Sequence, residues 1–121
     1  MKMSGAAQRL IIYIGESDEW EGEPLYVALV KKFREMGIAG VTVVRGIMGY
    51  GANNRIHKAK LLTLSEDMPI RIEVVDKPEY IQQILPVLDE MVVDGLIAIS
   101  NVEVVRYSQD PKKSAHFAMG E

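Results

Sequence analysis

No cysteine occurs among the 121 residues. Disulfides, thiol nucleophiles and thiolate metal sites are therefore excluded. Aromatic side chains are scarce at 7%, with a single tryptophan. No apolar run reaches the ~18 residues needed to span a bilayer. An excess of positive charge is also missing: the formal net charge is −3, which favours neither nucleic acid nor an anionic membrane as a partner. The residues ahead of the first apolar run, Met1 to Ala6, carry one lysine and no apolar stretch. They do not read as a signal peptide, and a cytoplasmic location is the expectation. No Ser-His or Cys-His set stands out, so nucleophilic catalysis has no visible machinery.

What is present suits one folded domain. A hydrophobic fraction of 48% and a charged fraction of 26% are ordinary for a globular chain. A chain of this length removes ~65% of its unfolded surface from water. We therefore read residues 1–121 as a single domain.

The pattern along the chain alternates between strand and helix. Leu10 to Ile14 is a short β-rich run stopped by Gly15. An acidic loop from Glu16 to Glu23 follows, with Pro24 placed as a first-turn helix residue. Leu25, Ala28, Leu29, Phe33 and Met36 recur at helical spacing, and Gly37 closes that helix. Val41 to Val44 reads as a strand. Regular alternation resumes at Ile70 to Val75. Asp76 is a candidate helix N-cap with Pro78 just inside. Ile81, Ile84, Leu85, Leu88, Met91 and Val92 form a second apolar stripe. Pro86 interrupts it, which predicts a kink, and Gly95 ends it. A last strand runs from Leu96 to Tyr107, with a break expected at Ser100-Asn101, and the tail from about residue 110 reads as loose.

The order is β-α-β-β-α-β, two matched βαβ halves, which is the ferredoxin-like α/β (α+β) arrangement with both helices on one sheet face. The other face, with Tyr13, Thr42 and Arg71, is only half polar. Self-association is expected to cover it.

Function is expected in the long connection at about residues 50–65. A simple hairpin needs only about 2–5 residues. Its base, Gly46 to Asn54, holds Gly46, Gly49 and Gly51. Glycines let backbone approach a ligand closely, and successive N–H groups can form an anion nest. Asn53 and Asn54 can read the edge of a base, while Arg45, Arg55, Lys58 and Lys60 add positive charge. No Gly-Lys-Ser/Thr follows, so this is not a Walker A loop. It lies after the second strand and precedes no helix, so it is not a dinucleotide fingerprint. A flexible loop is the competing reading. The five carboxylates of Glu16 to Glu23 read as a solvated charge run rather than a metal site. His57 reads as a loop histidine rather than a ligand or base. Trp20 is a candidate anchor at a subunit contact.

These residues resemble a known family. The run Gly40 to Gly51, with its Arg45-Gly46-x-x-Gly49-Tyr50-Gly51 core, and the phrase Pro69 to Val75 are similar to the PII-like signalling proteins (the GlnB/PII-like fold). Gly15-Glu16 with Gly22 to Tyr26 narrows the resemblance to the family catalogued as domain of unknown function 190, of UPF0166 type, over about residues 8 to 107. The resemblance implies a homotrimer that binds an adenine nucleotide in clefts between subunits. It also implies a long loop that signals to a membrane transporter or enzyme. By position it assigns Gly49, Tyr50, Gly51 and Asn53 to the loop base, Asp94 and Gly95 to a second nucleotide loop, and Arg106 to the phosphates. Arg45 and Gly46 complete the candidate set. Two departures stand out: Leu96 where the family pattern has a lysine for the terminal phosphate, and Ala52 where it has an arginine. Both favour ADP, AMP or a cyclic nucleotide over ATP. No cofactor is required on this reading. The alternatives are a metal-binding trimer like the CutA proteins, which share the fold, or an enzyme of that fold.

Overall fold

The computed structural model describes residues 2–51 and 67–108. Most of the connection at 50–65, with Asn53, and the tail from about 110 therefore lie outside the described residues.

Four strands make the main sheet: β1 (Lys2–Gly15), β4 (Thr42–Arg45), β5 (Pro69–Asp76) and β6 (Leu96–Ser108). Two short strands, β2 (Glu19–Trp20) and β3 (Glu23–Pro24), form a small hairpin inside the acidic segment. Helix α1 spans Leu25–Glu35 and helix α2 spans Pro78–Met91. The main sheet runs in the order β4-β5-β1-β6, with every pair antiparallel. This is the ferredoxin-like order expected from two βαβ halves.

Alternation decides which face is wet. Leu10, Ile12 and Ile14 of β1 and Ile70, Ile72 and Val74 of β5 are buried. They share one face because strand side chains alternate with a period of two. Leu25, Ala28, Leu29 and Phe33 of α1, with Ile81, Ile84, Leu88 and Met91 of α2, close over that face. These are the stripes read from the sequence. Leu85, Val92, Met36 and Trp20 pack at the edge of the same core, so Trp20 leans on its own chain.

The helix ends follow local chemistry. Gly37, at φ +84°, stops α1: its N–H donates to Arg34 O, and the Ile38 N–H donates to Phe33 O. That pairing of the last carbonyls is a Schellman closure. Pro24 stands at the N-cap of α1, one position ahead of the helix.

Several sequence expectations are corrected. Lys77, not Asp76, is the N-cap of α2, with no side-chain capping bond. Asp76 is instead buried at 1% exposure. It accepts hydrogen bonds from Ala39 N at 2.9 Å and Lys77 N at 2.7 Å. It therefore ties the α1–β4 turn to the start of α2. Helix α2, with Pro86 inside it, ends at Met91, four residues before the Gly95 expected to end it. Strand β6 is unbroken at Ser100-Asn101, where Arg9 and Gln8 stay in register. The irregularity lies between Met3 and Gly5, where β6 carries one residue more than β1.

Strand β1 is far longer than its apolar run. Only Gln8 to Gly15 pair with β5, whereas pairing with β6 continues to Lys2. Residues 2–7 and 102–108 thus form a two-stranded arm that extends past the four-stranded sheet.

Candidate functional site

Antiparallel order sends β1 and β4 one way and β5 and β6 the other. The last residues of the first pair and the first residues of the second therefore meet at one end of the sheet. A cleft of about 520 Å³ opens there, within the range typical of small-molecule sites. It is lined by Tyr13, Ile14, Gly15 and Asp18 from the end of β1, and by Gly49, Tyr50 and Gly51 beyond β4. Asp67 and Pro69 at the start of β5, with Asp94, Gly95 and Leu96 before and at the start of β6, complete it.

Glycine is required at two points of this lining. Gly95 has φ +156°, and a Cβ there would stand 2.5 Å from Tyr13 O and 3.2 Å from Ile14 Cγ2 and Val92 Cγ1. Gly49 has φ +150°, with Pro69 Cγ 3.3 Å from a Cβ. Behind it, Gly46 donates its N–H to Pro69 O at 2.7 Å, and a Cβ on Gly46 would collide with the proline ring. The Gly-rich segment is thus stacked on the first residue of β5.

Carboxylates knit the floor together. Asp18 Oδ2 accepts the Gly15 N–H at 3.0 Å, and Asp67 Oδ1 accepts the Ser17 N–H at 3.0 Å and the Ser17 hydroxyl. Glu16 bridges three strands. Its N–H donates to Met68 O, its Oε1 accepts from Met68 N, and both its oxygens accept from Arg45 Nε at 2.9 Å. Among the described lining residues three are aspartates and none is basic. The walls are Tyr13, Tyr50, Leu96 and Pro69, and the first three expose 43%, 76% and 55% of their surface. The cleft therefore offers flat apolar walls to a planar ring and acceptors to hydroxyl or amino donors. No group of three or more histidine, aspartate or glutamate side chains able to hold a metal ion occurs among the described residues.

Of the residues singled out from sequence, Gly49, Tyr50, Gly51, Asp94 and Gly95 converge on this cleft. Gly46 supports it through Pro69, and Arg45 stands at the end of β4, paired with Glu16. Arg106 is not brought to it. It lies ten positions along β6 from Leu96, on the arm, about 33 Å away at strand rise. Sequence reasoning missed Tyr13, Asp18, Asp67 and Pro69. The sheet topology would have found them, because it puts the end of β1 and the start of β5 beside the glycines.

Comparison with known proteins bears on the fold and the family. The fold is that of the PII-like proteins. A structure of CPII from Thiomonas intermedia K12, bound to ADP and bicarbonate, aligns with TM-score 0.59 and 16% identity over 82% of this chain and 88% of that one. A Thermus thermophilus protein with a PII-like signaling designation aligns with TM-score 0.57 and 24% identity, over 85% and 94%. Within that fold the chain belongs to the DUF190 family, described as an uncharacterized ACR, whose model matches residues 7–104. A UPF0166 protein of Methanocaldococcus jannaschii is 39% identical over 101 residues, 83% of this chain and 93% of its own. Another from Aquifex aeolicus is 36% identical over 96 residues, 79% and 90%.

Proposed function

We propose that this protein is a PII-like regulator, not an enzyme, that binds an adenine nucleotide in clefts completed between copies of a homotrimer. The observation that carries the reading is the meeting of Gly49-Tyr50-Gly51 with Asp94-Gly95 around one apolar-walled cleft. CPII structures with ADP and bicarbonate, and with both ADP and AMP, lend support from the fold. In this reading the purine lies between the tyrosine and proline walls, and ribose hydroxyls donate to the aspartates.

The remoteness of Arg106 fits a shared site. A two-stranded arm is marginal alone in water. If it leans on a neighbouring copy, it delivers Arg106 and its planar fork to phosphates bound there. With Arg45 released from Glu16, the described members of the candidate set are then together; Asn53 lies outside the described residues. Leu96 lines the cleft where a lysine would meet a third phosphate. ATP would add charge beside three aspartates without a new cation, so ADP or AMP is favoured. The connection between β4 and β5 carries the signal to a transporter or enzyme in the cytoplasm. No described helix is long and apolar enough to cross a membrane.

The test is calorimetry with adenosine, AMP, ADP and ATP on the parent, Arg106→Ala and Gly49→Val. Arg106→Ala weakens ADP more than adenosine, and Gly49→Val impairs both. If none of the four binds the parent below millimolar, the nucleotide reading fails.

A further inference from the structure

Gly15, Asp18 and Asp67 share one part of the cleft lining. A Cβ on Gly15 would stand 2.9 Å from Asp67 Oδ1 and 3.3 Å from Asp18 Oδ1. The missing methyl therefore leaves a small hollow that both carboxylates border. Neither is left to turn at will. The Gly15 N–H pins Asp18 through Oδ2, and the Ser17 N–H and hydroxyl pin Asp67 through Oδ1. Asp67 is also held at φ +48°, a left-handed conformation uncommon for a residue other than glycine. Residues held in that way gather where ligands are clamped.

Each carboxylate keeps an oxygen in reserve. Asp18 Oδ1 and Asp67 Oδ2 accept no hydrogen bond among the described residues. Two fixed acceptors beside one hollow suit two donors on neighbouring atoms of a ligand. A vicinal cis-diol is such a group: two O–H donors on adjacent carbons, directed to one side of a ring. Hydrogen bonds to an ionised acceptor are about twice as strong as neutral ones. Removing one hydroxyl also leaves its carboxylate desolvated and unpaired, so a site of this kind rejects the deoxy analogue strongly. A phosphate ester on one of the oxygens is worse, because it sets an anion beside two others.

We propose, on the nucleotide reading above, that Asp18 and Asp67 hold the 2′- and 3′-hydroxyls of the ligand's ribose, so that the cleft selects nucleotides in which both are free. ADP and AMP belong to that class. Deoxynucleotides and 3′,5′-cyclic nucleotides do not. Gly15 is the residue that keeps the hollow open. The apolar walls then supply affinity for the purine, and the carboxylate pair supplies the choice of sugar.

The experiment is calorimetry with ADP, 2′-deoxy-ADP, 3′-deoxy-ADP, AMP and 3′,5′-cyclic AMP, on the parent, Asp18→Asn, Asp67→Asn and Gly15→Ala. The parent binds ADP at least tenfold more tightly than either deoxy form, the effect of one charge-assisted hydrogen bond. It binds AMP at least tenfold more tightly than cyclic AMP. Each asparagine variant keeps the side chain's size and narrows the gap for one of the two hydroxyls by at least threefold. Gly15→Ala fills the hollow and weakens ADP more than the deoxy forms. A parent that binds neither ADP nor AMP below millimolar overturns the nucleotide reading and this one with it. A parent that binds ADP, but takes the deoxy forms equally well or cyclic AMP as tightly as AMP, overturns only the diol assignment. So does a gap that survives undiminished in both asparagine variants. Far-ultraviolet circular dichroism of each variant checks that the fold is intact.

Discussion

Replacing Gly95 by alanine tests how the cleft is built. At φ +156° the backbone is in a region that L side chains rarely adopt, and the new methyl would meet Tyr13 O at 2.5 Å. Holding a non-glycine residue in such a conformation costs about 1–3 kcal/mol. Forcing a methyl into occupied space adds about 1–3 kcal/mol. Ile14 Cγ2, in the buried core, and Val92 Cγ1, packed against its edge, are each 3.2 Å from the methyl and give way little. The expected loss is therefore about 2–6 kcal/mol, a large share of the ~5–15 kcal/mol that holds a domain together. At a middle urea slope of about 2 kcal/mol/M, the unfolding midpoint falls by about 1–3 M, with the slope unchanged. Gly40→Ala is the control, since nothing lies within 4 Å of its Cβ and its φ is unrestricted. That variant stays within about 0.5 kcal/mol of the parent or gains slightly. A Gly95→Ala protein as stable as the parent would refute the argument that the strand-end packing dictates glycine here.

Asp76→Ala should cost about 3 kcal/mol by denaturant unfolding, because two backbone donors, on Ala39 and Lys77, lose a charged acceptor. Glu73 is held below the ordinary glutamate range in the folded state, first by the Arg9 hydrogen bond. The unfolded chain therefore binds the proton more readily, and stability rises with pH through that range. The contribution is present above the ordinary glutamate value and lost as pH falls through the depressed one, so the acid side of a melting-temperature profile should be shallower for Glu73→Gln. Leu96→Lys should raise ATP affinity relative to ADP by roughly tenfold in calorimetry, by placing a cation in the cleft. An unchanged ratio would contradict the account of nucleotide preference.

The fold was legible because burial alone explains most of it. The stripes Leu25–Met36 and Ile81–Val92 are spaced for helices, and Ile70–Val75 alternates, so core-facing residues announce themselves. Asp76 misled because an aspartate before Pro78 has the look of an N-cap. Its actual partner, Ala39, is thirty-seven residues away and invisible to local pattern. Residues 2–9 fall outside the apolar run read as the first strand because their pairing is decided largely by β6, at the far end of the chain. At the site, glycines were visible since only they fit the required backbone. Asp18 and Asp67 were not, since aspartates in turns are commonplace and only the sheet topology brings these two together.

The arm of residues 2–7 and 102–108 has a use beyond the reach it lends Arg106. Its β1 amides have no β5 neighbour, so in an isolated copy opening them disturbs little of the packed core beyond Ala7, and they should exchange with solvent deuterium quickly. Amides of Leu10 to Tyr13, held between β5 and β6, should exchange slowly in any state. The ratio of the two protection levels within one molecule is then an internal gauge of assembly. It is readable at dilutions and in mixtures where the mass of the complex itself is hard to measure.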